Sequence, residues 1–259
     1  MDWGTLLALG AVAVGAGFVD AIAGGGGLIT VPALAMAGLD PIAVLATNKL
    51  QSVFGSGSAT VAFHRAGFVS VRRDWPMALA AGLGAALGVG VLLLAPPDAL
   101  RKGLPVMLAL AGLYFAFAPR PAVGAKPRLT SRQAAWTFAP LVGFYDGLFG
   151  PGAGSFYMIG FMGLCAMPIR LAAGQTKLAN FASNLASLCV WLWWGHLVVA
   201  AGLAMGLGQL IGAQIGARVA LRGGERLIRP ALVVLCLVLS AHLAKAEGLL
   251  PLALAAYVP

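Results

Sequence analysis

GFVDAIAGGGG at residues 17–27 returns, slightly altered, as GFYDGLFGPGAG at 143–154. Gly17 answers Gly143, Phe18 answers Phe144, Asp20 answers Asp146 and Gly24 answers Gly150. Further on, TNKLQSVFGS at 47–56 is matched by QTKLANFASN at 175–184, which sets Lys49 against Lys177. GLGAALG at 82–88 is then matched by GLGQLIG at 206–212. The matches fall in one order along the chain, the mark of an internal duplication. Each copy opens with an apolar helix carrying an aspartate, broken shortly afterwards by a run of glycines.

The surroundings of these motifs fix the class. The chain has 259 residues, 60% hydrophobic and 10% charged, with a mean hydropathy of +0.92. Soluble domains carry about 25% charged residues, so this chain cannot coat a water-facing surface. Apolar blocks recur at 4–22, 28–39, 42–63, 76–95 and 103–118, and again at 133–148, 154–166, 170–193, 197–217 and 228–245. The reading is an all-α polytopic membrane protein. It excludes a soluble enzyme, a disordered chain, a secreted disulfide scaffold and a single-span anchor. Continuous apolar blocks also exclude an outer-membrane barrel, whose strands alternate. The stretch PRPAVGAKPRLTSR at 119–132 is a linker, giving a first repeat at 1–118, a second at 133–245 and a tail at 246–259.

The net charge of +9 is arranged by side. If the chain changes side at each block, Arg65, Arg72, Arg73, Arg120, Lys126, Arg128, Arg132, Arg170, Arg218, Arg222, Arg226 and Arg229 gather on one side. The other receives Arg101, Lys102 and Lys245. The bias predicts a cytoplasmic linker with both termini outside, and no nucleic-acid partner. Five blocks per half is an odd number, so the second half enters the bilayer from the opposite face, as in the inverted repeats of secondary transporters. The opening blocks are short around the glycine turns, so they read either as spans or as re-entrant hairpins; parity survives both.

Other residues are plainer. Cys165, Cys189 and Cys236 lie in apolar blocks without paired spacing and read as small buried hydrophobes. His64, His196 and His242 have no ligand constellation. Trp191, Trp193, Trp194 and His196 read as an aromatic belt at the outer end of a span. Met1-Asp2-Trp3 lacks a basic n-region, so the first block reads as a retained span. No cofactor motif, metal cluster or catalytic triad is present in the sequence, and no cofactor is expected.

Chemistry concentrates in the repeated positions. The turns Gly24–Gly27 and Gly150–Gly154 open new half-helices, whose N-termini present unpaired N–H groups and partial positive charge; Gly25, Gly26, Gly152 and Gly154 are the candidate backbone donors. An ionisable residue inside a span costs about 2.5–3.5 kcal/mol on the insertion scale, so Asp20, Asp146, Lys49 and Lys177 call for a function or a partner. Asn48, Gln51 and Ser52 surround Lys49, while Thr176, Asn180 and Asn184 surround Lys177. An ammonium with amide and hydroxyl donors suits an oxyanion leaving water. The lysines read as anion ligands, as internal partners of the aspartates, or as snorkelling residues. The aspartates read as counter-charges, as proton carriers, or as caps on the glycine turns.

GFVDAIAGGGGLITVPAL, ATNKLQ, GFYDGLFGPGAGSF and TKLANFASN resemble the signatures of the TauE/SafE family of membrane permeases, over nearly the whole chain. The resemblance implies export of a small sulfur oxyanion or organosulfonate across a bacterial inner membrane. The partners expected are that anion and the lipid bilayer, with a homodimer left open. An anion channel and a carboxylate transporter of the same architecture are the rival readings.

Overall fold

Each helix begins and ends where its flanking residues dictate. The computed structural model describes residues 1–96 and 126–222, with Gly103, Val106 and Leu110 between them. The expected segments at 103–118 and 228–245, the linker's first half and the tail 246–259 lie wholly or mostly outside the described residues. So do Cys236, His242, Arg101, Lys102, Arg120, Arg226, Arg229 and Lys245.

Helix α1 (Trp3–Ala23) starts at Asp2, whose carboxylate accepts from the Thr5 N–H, and ends at Gly24 in the left-handed conformation. After the glycine turn comes α2 (Gly27–Met36). Asp40 caps α3 (Pro41–Arg65) through the Ile42 and Ala43 N–H groups, with proline at the first position, where its missing N–H costs nothing. Helix α4 (Val71–Leu92) follows. A capping box between Thr130 and Gln133 opens α5 (Ser131–Trp136), which breaks at Thr137 into α6 (Phe138–Leu148). The second half continues with α7 (Ala153–Leu164), α8 (Ile169–Trp194) and α9 (Val199–Leu221). All described regular structure is helical. Helix α4 begins earlier than the apolar pattern suggests, because Arg72, Arg73 and Asp74 form a charged first turn. The Ser70 N–H donates to the Asp74 carboxylate at 2.9 Å and holds that turn helical.

Helices α1, α4 and α9 are long and apolar enough to cross a bilayer. Helices α3 and α8 are longer, at 25 and 26 residues, but carry the polar positions. Helices α2 and α7, at 10 and 12 residues, fall well short of the roughly 20 that a full span needs.

Packing exchanges helices between the halves. Helix α1 lies along α9, and α6 lies along α4. Both seams are made by glycines that admit the partner's backbone. Gly208, Gly212 and Gly216 face Gly10, Val14 and Phe18, so α1 and α9 run parallel. Gly84 and Gly88 face Pro140 and Phe144, so α4 and α6 do the same. Gly57 meets Phe181, while Gly174 meets Phe63. The two motif-bearing helices α3 and α8 therefore cross antiparallel.

This register gathers the charges. The C-termini of α3 and α9 and the N-termini of α4 and α8 share one end, with Arg65, Arg72, Arg73, Arg170, Arg218 and Arg222 on it. Among the described residues the opposite end has no lysine or arginine. Two expectations change. Trp191 is 1% exposed, unlike Trp193 at 88%; it shares the inward face of α8 with Asn180, Asn184 and Ser187, and only its neighbours face outward. Cys189 is exposed, on the outer face of α8, while Cys165 is half-buried.

Candidate functional site

The two glycine turns touch. Gly24 has φ +78° and Gly152 φ +84°, a region where L-residues are strained. A side chain on Gly24 would also run into the Gly154 backbone, and one on Gly27 would lie 3.2 Å from Pro151 Cα. The Ser155 hydroxyl donates across the junction to the Ala23 carbonyl. The N-termini of α2 and α7 consequently open onto one cavity.

That cavity is lined by Asp20, Gly24, Gly26, Gly27, Asn48, Ser52, Asp146, Gly150, Gly152, Gly154, Asn180, Asn184 and Gln209. Every lining residue is polar or glycine. Helix α3 contributes Asn48 and Ser52, and α8 contributes Asn180 and Asn184, each pair four residues apart and so on one face. The Gly27, Gly152 and Gly154 N–H groups find no acceptor among the described residues. Carboxamides, a hydroxyl and helix N-termini make the cavity donor-rich, alongside two carboxylates that accept only.

The lysines sit behind this lining, each bound to the aspartate of the other half. Lys49 Nζ lies 2.6 Å from Asp146 Oδ1 and also donates to the Asp146 carbonyl. Lys177 Nζ lies 3.2 Å from Asp20 Oδ2 and donates to the Asp20 carbonyl. Both lysines are buried. Buried charges persist only when paired and hydrogen-bonded, and these two pairs meet that requirement across the interface between halves. Asp20 also braces the first glycine turn, since its Oδ1 accepts from the Gly26 N–H at 3.1 Å. Asp146 instead accepts from the Ser183 hydroxyl.

Gln51 lies outside the lining. Its amino group donates to Thr30 Oγ1 at 3.1 Å and Asn48 Oδ1 at 2.7 Å, and the Thr30 hydroxyl donates to Asn48 Oδ1 at 2.6 Å. Thr176 meets Met158 Sδ at 3.9 Å, and Gly25 is buried beside the cavity without lining it. The structure thus brings Asn48, Ser52, Asn180, Asn184, Gly26, Gly152, Gly154 and both aspartates to the cavity, and sets Lys49, Lys177, Gln51, Thr176 and Gly25 behind it. Two further residues join them that the repeated motifs do not single out as ligands. Ser183 is visible in the sequence as a polar neighbour of Lys177. Gln209 hides in a glycine-rich apolar helix, and its only signal is that Ala85 stands at the matching place in the first half.

Comparison with known proteins gives a consistent picture. Residues 9–243 match the model of the family described as sulfite exporter TauE/SafE. "Probable membrane transporter protein ORF9" of a Sinorhizobium species is 44% identical over 229 residues, covering 88% of each chain. "Probable membrane transporter protein YfcA" of Escherichia coli K12 is 42% identical over 236 residues, 90% of this chain and 87% of that one. A "Probable membrane transporter protein" of Haemophilus influenzae is 38% identical, covering 90% and 92%. No solved structure matches. With apolar helices of spanning length and relatives named as transporters, this multi-pass membrane protein belongs to the sulfite exporter TauE/SafE family of membrane transporters.

Proposed function

We propose that the protein is a secondary transporter exporting a small sulfur oxyanion or organosulfonate across the bacterial inner membrane. The observation that carries this reading is the central cavity: polar side chains and glycine backbone alone, two half-helix N-termini, and a buried lysine–aspartate pair on either side. In this arrangement an oxyanion binds to Asn48, Ser52, Asn180, Asn184 and the free glycine N–H groups. The ammonium groups of Lys49 and Lys177 then shift from carboxylate to anion. Breaking a buried pair without compensation costs about 3–5 kcal/mol, so a lysine turns only when an anion arrives or its aspartate takes a proton. Protonation would couple the site to the proton gradient, and anion binding without it would couple transport to the membrane potential.

The halves act as inverted repeats. Support comes from the antiparallel crossing of α3 and α8 and from the exchanged seams α1–α9 and α6–α4. The α1–α2 and α6–α7 pairs act as re-entrant hairpins whose tips meet at the cavity. The arginine-rich end faces the cytoplasm and both termini face the periplasm. Alternating access is then a rocking of one half on the other about the paired turns.

Counterflow in sealed liposomes tests the reading, with sulfite, sulfate, sulfoacetate, taurine and acetate as the panel. The uncharged double variant Lys177→Gln/Asp20→Asn keeps the pair's hydrogen-bonding shape and removes its charge. Sulfur oxyanions are expected to drive exchange in the wild type, falling more than tenfold in the variant. Exchange by acetate alone converts the assignment to a carboxylate carrier, and no variant-sensitive exchange at all removes the anion site. Collapsing the proton gradient tests coupling: unchanged flux assigns the driving force to membrane potential.

A further inference from the structure

Among the described residues, Gln209 is the one cavity-lining side chain that belongs neither to α3 and α8 nor to the glycine turns and the aspartates that precede them. It sits midway along α9, 2% exposed, and makes no hydrogen bond with any described residue. Its polar atoms open onto the cavity and not into packed protein, so their hydrogen bonds are left for whatever fills that space. Its place is specifically prepared. A Cβ on Gly17 would stand 3.0 Å from Gln209 Oε1, and one on Gly55 would collide with the same oxygen. Two helices therefore carry glycine where the carboxamide carbonyl rests, which leaves the amino end of the group for the cavity.

No counterpart exists in the other half. The position matching Gln209 is Ala85, and the position matching Gly55 is Ser183, which is committed to Asp146. The other neutral side-chain donors come two from each of the crossing helices, Asn48 and Ser52 on α3 and Asn180 and Asn184 on α8, with only Ser52 and Asn180 at matching positions. Two facing pairs suit two oxygens of a bound anion; a third oxygen needs a donor of its own.

We propose that Gln209 is a specificity-determining residue, whose side-chain N–H groups bind the third oxygen of a sulfite or sulfonate head and so favour three-oxygen anions over carboxylates. The assignment rests on the anion-transport reading above and deepens it.

Isothermal titration of the purified full-length protein in detergent tests it, with methanesulfonate, sulfite and acetate as probes. Gln209→Leu is expected to weaken methanesulfonate and sulfite about tenfold while acetate changes less than twofold. Gln209→Glu, similar in volume, is expected to lose methanesulfonate binding by more than tenfold at pH 8 and to recover it as the new carboxyl protonates. Wild type is titrated over the same pH range, because Asp20 and Asp146 line the same cavity. Methanesulfonate does not titrate there. If the leucine variant loses monodispersity, the glutamate variant carries the test alone. Equal losses for sulfonate and acetate, or a glutamate variant with no recovery beyond wild type, overturn the specificity role. Unchanged methanesulfonate binding in Gln209→Leu overturns it while leaving the anion site standing. A wild type that binds none of the probes overturns the anion reading and this assignment together.

Discussion

Asp20 and Asp146 occupy matching places, and each faces the lysine of the opposite half, yet they are held differently. Asp146 is 2% exposed, with one oxygen 2.6 Å from Lys49 and the other on the Ser183 hydroxyl. Asp20 is 8% exposed, 3.2 Å from Lys177, and shares its charge with the Gly26 N–H. The neutral surroundings diverge as well. Thr30, Asn48 and Gln51 form a hydrogen-bonded cluster in the first half, where Met158, Thr176 and Ala179 stand in the second. The matching positions keep the charges while the neutral partners differ. One pair is a tight lock and the other a looser latch.

The lock and the latch separate most clearly on losing an ammonium. Lys49→Ala leaves Asp146 buried with only a hydroxyl, and is expected to cost about 3–5 kcal/mol, read as unfolding in mixed micelles. Lys177→Ala is expected to cost clearly less, since Asp20 also keeps one hydrogen bond but is more exposed and starts from the longer contact. Equal losses would erase the distinction.

The turns offer a second contrast. Gly24→Ala combines a left-handed backbone with a clash against Gly154, whereas Gly38→Ala has φ +86° and open space around it. The exposed site is expected to lose about 1–2 kcal/mol from backbone conformation alone, and Gly24→Ala more than that, in the same unfolding assay.

Ser183→Ala removes the hydroxyl that only the second half provides. Leaving a carboxylate oxygen unsatisfied is expected to cost about 1–3 kcal/mol. If Ser183→Ala costs as much in an uncharged Lys49→Gln/Asp146→Asn background as in the wild type, the carboxylate is not what suffers. The smallest effect belongs to the neutral clusters. Thr30→Val is expected to cost about 0.6 kcal/mol, the mean for hydrogen bonds between helices in membranes, and Met158→Leu less. A reversal of that order, measured by thermal unfolding, would mean that the thioether side carries the load.

Much of this is legible in the sequence because lipid makes polarity expensive. Ten apolar blocks, the glycine breaks and the four in-span charges all stand out against a background with almost no charge, and the described helices fall within a few residues of their blocks. The sorting of arginines foretells the basic end. Pairing is not legible: whether Lys49 faces an aspartate or the cavity depends on side-chain direction in three dimensions, and both orientations fit the same spacing. Trp191 departs from the expected belt because the end of a helix can point inward on one residue and outward on the next. Gln209 stays hidden because a single amide among glycines looks like part of a packing seam, and its meaning lies in Gly17 and Gly55 on other helices.

The exchanged seams bear on how the protein is made. The face of α1 that fits α9 leaves the ribosome nearly two hundred residues before its mate, just as α4 waits for α6 over a shorter interval. During that delay the glycine-notched surface of α1 has no mate, although its length and hydropathy already suit it to lipid. Closure of the seam therefore follows insertion of α1, in the two-stage order by which membrane helices insert first and pack afterwards.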